Sequence, residues 1–180
     1  KSMSDPSLLS QRITYSKKDL DLGEWSPVTE KHVSEGMTVK ELCSAAISLS
    51  DNTAMNLLLK TIGGIQGIND FARSIGDTSF RLDNAWPAEA YSGGDGNVKD
   101  SSTPQAMVES FRKITIDKTL DRPQRDLLTT WLINTQTGAA RIRSSIPNGW
   151  IVGNKTGTGG EPTAQLTILQ LFGHQSIHQF

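Results

Sequence analysis

Only one cysteine, Cys43, occurs among the 180 residues of the chain. That excludes an internal disulfide and a cysteine-based zinc cluster. Histidine is nearly as scarce. His32, His174 and His178 are scattered, and none has metal-ligand spacing with a carboxylate. The formal net charge is −1, so there is no basic face to attract a nucleic acid. No apolar run approaches the length of a membrane span, and nothing at Lys1 has the form of a secretory leader. Internal repeats and low-complexity tracts are also missing. What remains is 36% hydrophobic and 21% charged, the profile of one globular domain long enough to bury a core.

Helical signals dominate the middle of the chain. In "MTVKELCSAAISLS", Thr38 precedes Glu41 by three residues, a capping-box spacing, and a small-and-apolar helix follows. "TAMNLLLKTIGG" puts Ala54, Leu57, Leu58 and Ile62 on one face and stops at Gly63-Gly64. "GINDFARSIG" predicts a short helix closed by Gly76. "STPQAMVESFRKI" begins with Thr103 as cap and Pro104 at the first helical position. "RPQRDLLTTWLI" is a further amphipathic helix. Strand character is confined to residues 149–155 and to "AQLTILQLF". Between the third and fourth helices runs "RLDNAWPAEAYSGGDGNVKDSS", which has no period. A loop this long in a compact domain is usually functional or disordered.

Two short motifs carry chemistry. "SLSDNTAM" offers a hydroxyl, a carboxylate and an amide at Ser50, Asp51 and Asn52. Taken alone, it reads as a helix N-cap. "NKTGTGG" ends a strand with Lys155, Thr156, Gly157 and Thr158, and alone it reads as a turn. A phosphate-cradling loop would place its glycines ahead of the lysine and a helix after it. Here the lysine comes first and a strand follows.

Together the motifs say more. A serine-asparagine turn followed about a hundred residues later by Lys-Thr-Gly is part of the signature set of class A β-lactamases and penicillin-binding proteins, alongside Ser-x-x-Lys. "WSPVTEKHVSEGMTVKELCSAAISLSDNTAMNLLL", "GDTSFRLD", "KDSSTPQAM" and "TGAARIRSSIPNGWIVGNKTGTGG" extend the likeness in the same order. Over nearly all of residues 1–161 the chain resembles a class A β-lactamase.

The resemblance implies an α+β, β-lactamase/transpeptidase-like fold, with the helical half largely present and most of the antiparallel sheet half missing. The whole chain, 1–180, would be one partial domain. The implied substrate is a small-molecule β-lactam. No cofactor, metal, nucleic acid or membrane is implied, and the family points to a monomer in the periplasm or secreted from a bacterium. Lys155 and Ser50 would be catalytic: Lys155 supplies positive field and holds Ser50, and Ser50 passes a proton to the departing lactam nitrogen. Thr156 and Thr158 would donate to the substrate carboxylate, and Gly157 would let the ring lie against the strand. The Thr158 N–H would be one of two oxyanion-hole donors, each worth about 3 kcal/mol in such sites. Asn52 would bind the acylamino side chain. Arg141 matches a second carboxylate cation, or equally a solvated helix-end arginine. Trp25 matches an aromatic at the rim, or equally a packing residue.

The departures matter as much. The only Ser-x-x-Lys is Ser110 to Lys113, in a helix where the family has a plain surface. The nucleophile helix is therefore expected ahead of Lys1, and these residues are expected to show little or no hydrolysis. In the long loop Asn84 stands at an arginine of the family pattern and Trp86 at its glutamate. Glu89 is an alternative for that role. Loss of the cation at Asn84, opposite Asp100, predicts a loose loop. "KKDLDLGEWSP" is two residues longer than the family spacing. The tail, 162–180, departs altogether. One permitted back-translation of Thr163 to Phe180, read one base upstream from a T, spells Tyr-Gly-Thr-Ala-Asn-Asp-Ile-Ala-Val-Ile-Trp-Pro, as the family would show. A frameshift near Glu161–Pro162 is the expected origin of the tail, although "LTILQLF" retains the character of an edge strand. A missing sheet would leave exposed core and a tendency to aggregate. Two further readings stay open, a penicillin-binding D-Ala-D-Ala transpeptidase relative and a non-catalytic binding protein.

Overall fold

The structure, a computed structural model, describes residues 1–87, 99–140, 142–157 and 167–174. Six α-helices lie among the described residues: α1 (Lys17–Gly23), α2 (Val39–Ser48), α3 (Asn52–Ile62), α4 (Gly64–Ser74), α5 (Pro104–Thr115) and α6 (Arg122–Ile133). Their ends follow the local chemistry. Thr38 Oγ accepts from the Glu41 N–H at 3.2 Å, and the Glu41 carboxylate takes the Thr38 N–H at 2.7 Å. This closes the box that starts α2. Asp51 caps α3 by accepting from the Ala54 N–H. Gly63, at φ 98°, lets α3 stop and α4 begin one residue later. A side chain there would be strained. Thr103 caps α5 ahead of Pro104.

Four strands among the described residues form two separate antiparallel pairs. Strands β1 (Arg12–Ile13) and β2 (Met37–Thr38) pair Arg12 with Thr38 and Ile13 with Met37. Strands β3 (Trp150–Thr156) and β4 (Thr167–His174) pair Lys155 with Ile168 and Thr156 with Thr167. The tail sequence therefore does make an edge strand. Mixed helices with so small a sheet agree with an α+β fold whose sheet half is only partly represented.

The core lies under α2 and α3. Met37, Leu42, Ala45, Ala54 and Leu57 form one buried cluster, against which Ile13, Tyr15, Val28, Ala46 and Leu58 pack. Of the α3 face expected from sequence, Ala54 and Leu57 are buried and Leu58 packs against the cluster, while Ile62 is only half-buried; Leu59 is buried as well. Along α2 and α3 runs an open apolar groove of about 910 Å³. Leu9, Cys43, Met55, Leu58, Ile62 and Phe71 are among its lining.

Two sequence expectations meet the structure here. Ser110 and Lys113 are absorbed by the α4–α5 connection: Ser110 Oγ donates to Asp77 Oδ2 at 2.6 Å, and Lys113 Nζ donates to the Ile75 carbonyl. Their Ser-x-x-Lys spacing serves a turn. At the neck of the long loop, the loss of contact between Asn84 and Asp100 expected from sequence requires a correction. Asn84 Nδ2 donates to Asp100 Oδ2 at 2.6 Å, and the N–H groups of Asp83 and Asn84 both donate to Asp100 Oδ1. Asp100 N–H returns a bond to Asp83 Oδ2 at 3.0 Å. A neutral amide keeps the bond that the sequence argument assigned to a cation. The body of the loop, with Glu89, lies outside the described residues.

Candidate active site

The turn between α2 and α3 is built around one carboxylate. Asp51 is 1% exposed, and it accepts from the N–H groups of Val28, Thr29 and Ala54 and from the Thr29 hydroxyl. Four donors on one buried carboxylate fix the turn to the segment before α2. The neighbours of Asp51, Ser50 and Asn52, are half-buried. Ser50 sits at φ 56°, a left-handed conformation uncommon for a residue with a Cβ. Such strain persists only where the surroundings over-determine it. Here the Asp51 N–H is held by the Ala45 carbonyl and the Asn52 N–H by the Trp25 carbonyl.

Lys155 faces Ser50 from β3. Its Nζ donates to Ser50 Oγ at 2.6 Å and to the Thr156 carbonyl at 2.6 Å. Burial holds the Lys155 ammonium below its ordinary pKa, since desolvation penalises the charged form. Thr156 is half-buried, and its hydroxyl lies 2.8 Å from that of Thr137. Gly157 follows, exposed, at the open end of the strand.

Asn52 points its amide inward, with Nδ2 donating to the Gly23 carbonyl at 3.0 Å. Gly23 is itself closely packed: a Cβ there would lie 2.0 Å from Thr53 Oγ1 and 2.6 Å from Ser26 Oγ. Trp25 is 57% exposed and is anchored by its indole N–H to the Leu49 carbonyl at 3.0 Å. It thus combines an open ring with a fixed edge. Thr158 and Arg141 lie outside the described residues. The structure therefore brings Ser50, Asn52, Trp25, Lys155 and Thr156 into one neighbourhood where α2, α3 and β3 meet.

Sequence reasoning overlooked three groups beside this neighbourhood. Thr137 touches Thr156. Arg143 Nη2 donates to the carbonyls of Ile133 and Val152 and to Asn154 Oδ1, tying the chain after α6 to β3. Asn56 clasps Trp86 from both sides: Nδ2 donates to the Trp86 carbonyl at 2.7 Å, and Oδ1 accepts from the Trp86 N–H at 3.1 Å. Each is one polar residue in an otherwise ordinary helix or loop, and no local pattern marks it.

Comparison with known proteins fits this geometry. The family model described as "Beta-lactamase enzyme family" matches residues 1–177, a region that reaches into the tail. The chain is 46% identical over 158 residues to β-lactamase OXY-1 of Klebsiella oxytoca, covering 88% of this chain and 53% of that protein. It is 47% identical over 160 residues to the carbapenem-hydrolyzing β-lactamase KPC of the same species, covering 89% and 54%. A crystal structure of the putative class A β-lactamase PenP from Rhodopseudomonas palustris superposes with a TM-score of 0.86 at 46% identity, over 93% of this chain and 62% of that one. The protein belongs to the β-lactamase enzyme family, and its relatives and structural neighbours include class A enzymes. It spans about half the length of the curated relatives it matches.

Proposed function

We propose that these residues form the substrate-holding walls of a serine enzyme that opens β-lactam rings. The observation that carries the reading is the Lys155–Ser50 hydrogen bond, which joins the helical turn to the end of β3. Lys155 supplies positive field to the substrate carboxylate and holds the Ser50 hydroxyl. A lysine with a lowered pKa exchanges protons with that hydroxyl more readily than an ordinary one. In a form that carries the nucleophilic serine, the oxygen of that serine forms the acyl C–O bond at the lactam carbonyl, Ser50 delivers a proton to the lactam nitrogen as the C–N bond breaks, and Lys155 returns a proton to Ser50. Thr156 and Thr158 donate to the carboxylate, Gly157 leaves room for the ring, and the Thr158 N–H faces the developing oxyanion. Asn52 turns from Gly23 to the acylamino group. Trp25 covers the rim, and Arg141 adds a second cation.

The Ser-x-x-Lys nucleophile of such enzymes is not supplied by Ser110 and Lys113, which hold the α4–α5 connection. These 180 residues are therefore expected to bind β-lactams without turning them over. Such a binding site belongs to a periplasmic or secreted protein, where the family's substrates are met. Among the described residues no helix is long and apolar enough to cross a membrane. The test is calorimetric titration with benzylpenicillin beside an absorbance assay with a chromogenic cephalosporin. Saturable binding without hydrolysis supports the reading, and sustained hydrolysis by the purified chain contradicts its second half.

A transpeptidase-like reading rests on Trp86, which falls at the family's deacylating glutamate when the sequence is aligned without a gap and whose backbone Asn56 clasps. A stable acyl adduct in a longer form that carries the nucleophile would favour it.

A further inference from the structure

The segment after α6 is stitched along β3 by three side-chain bonds. Thr135 Oγ donates to the Asn154 carbonyl at 2.7 Å, and Asn154 Nδ2 donates to the Thr137 carbonyl at 3.2 Å. The third bond joins the hydroxyls of Thr137 and Thr156 at 2.8 Å. Thr135 and Asn154 are 4% and 2% exposed, so the first two bonds form a closed seam. The third lies at the open end, where both threonines are half-buried beside Lys155.

Each hydroxyl carries one proton and two lone pairs. The pair shares one hydrogen bond, so one of its two protons stays free. If Thr156 donated to Thr137, its own proton would be spent within the protein. If Thr137 donates, the Thr156 proton is released outward, and accepting a bond makes that O–H a better donor. A carboxylate only accepts, so its arrival favours the second arrangement. The Asn154 amide fixes the Thr137 backbone for this task, because the same side chain that grips its carbonyl belongs to β3.

We infer that Thr137 is a positioning residue for anion recognition: its hydroxyl donates to Thr156 Oγ and aims the Thr156 proton at the carboxylate of a β-lactam. The inference rests on the β-lactam reading of the site. It adds a residue that does not itself touch the ligand, and the carboxylate is the part of the substrate that it serves.

The test compares benzylpenicillin with its methyl ester, which has the same rings but no charge, by calorimetric titration of the 180-residue chain. Thr137→Val keeps the shape and removes the proton. It is expected to weaken the acid about five- to tenfold, the usual effect of one lost hydrogen bond between neutral groups, and to leave the ester within about twofold. Thr137→Ser is expected to restore the acid. In a Thr156→Val background, Thr137→Val is expected to add nothing. Thr137→Ala is read in the same way should the valine variant not fold. Unchanged affinity for the acid, or equal loss for acid and ester, overturns the inference while the β-lactam reading stands. Failure of the unsubstituted chain to bind either compound overturns both.

Discussion

Lys155 Nζ reaches Ser50 Oγ at 2.6 Å across 105 residues of chain, and it is the half-buried partner of a strained one. Neither side of this contact is an inexpensive conformation. Ser50 holds a left-handed backbone, and Lys155 holds a charge away from water. Two costs meeting at one hydrogen bond mark a place where stability has been exchanged for placement.

Ser50→Gly and Ser50→Ala both delete the hydroxyl, but only glycine relieves the backbone. Urea unfolding is expected to find the glycine variant more stable than the alanine variant by about 1 kcal/mol. Equal midpoints would mean that Ser50 stores no strain.

Lys155 gives a pH signature of defined sign. Its folded pKa is depressed below the model-peptide value of 10.5. Between the depressed value and 10.5 the unfolded chain binds a proton that the folded chain does not, so stability from this group rises with pH across that window. At lower pH the group is charged in both states, and the cost of burying it is paid in full. Lys155→Met is expected to flatten this component of the rise when urea midpoints are compared from about pH 7 to about pH 10. A parallel pair of curves would contradict it.

Asp51 is expected to be the least replaceable residue of the turn. Asp51→Ala strands four donors, three of them N–H groups, in a site that is 1% exposed. The expected cost is about 3–5 kcal/mol, read as loss of cooperative unfolding by circular dichroism. Asp51→Asn keeps one acceptor oxygen and should fall between. A loss under about 1 kcal/mol would show that the turn is held by other contacts.

Asn84 is expected to control opening of the loop neck. Asn84→Ala removes the 2.6 Å bond to Asp100 Oδ2 but leaves the backbone bonds to Oδ1. Amide exchange at residues 83–84 and 99–101 should accelerate about five- to tenfold, with α2 and α3 unchanged. Exchange at the parent rate would assign the neck to the backbone bonds alone.

Much of this was legible in the chain. The Thr38–Glu41 box, the Gly63 stop, the Thr103-Pro104 start and the two C-terminal strands lie where period and capping chemistry placed them, because those signals act within one turn or one strand. The cap reading of "SDN" holds at Asp51, and Ser50 beside it is turned toward Lys155. The helix α1 and the β1–β2 pair escaped notice. The first is seven residues of mostly polar chain and the second is two residues a side, too short for a period to show. Thr137, Arg143 and the Asn56–Trp86 clasp were hidden for another reason. Each is defined by a partner 9 to 30 residues away rather than by its neighbours. The loop neck failed in sequence because charge was weighed and hydrogen-bond geometry was not.

Cys43 lies on the wall of the apolar groove, and burial pushes its thiol up to about 11. At neutral pH it is almost wholly protonated, and only the thiolate reacts. Unfolding returns the sulfur to water and its ordinary acidity. The one cysteine of the chain is therefore a built-in gauge. The rate at which a thiol reagent labels it, compared with the rate in urea, reports how far the groove wall shields the sulfur in the folded chain, without a dye or an engineered probe.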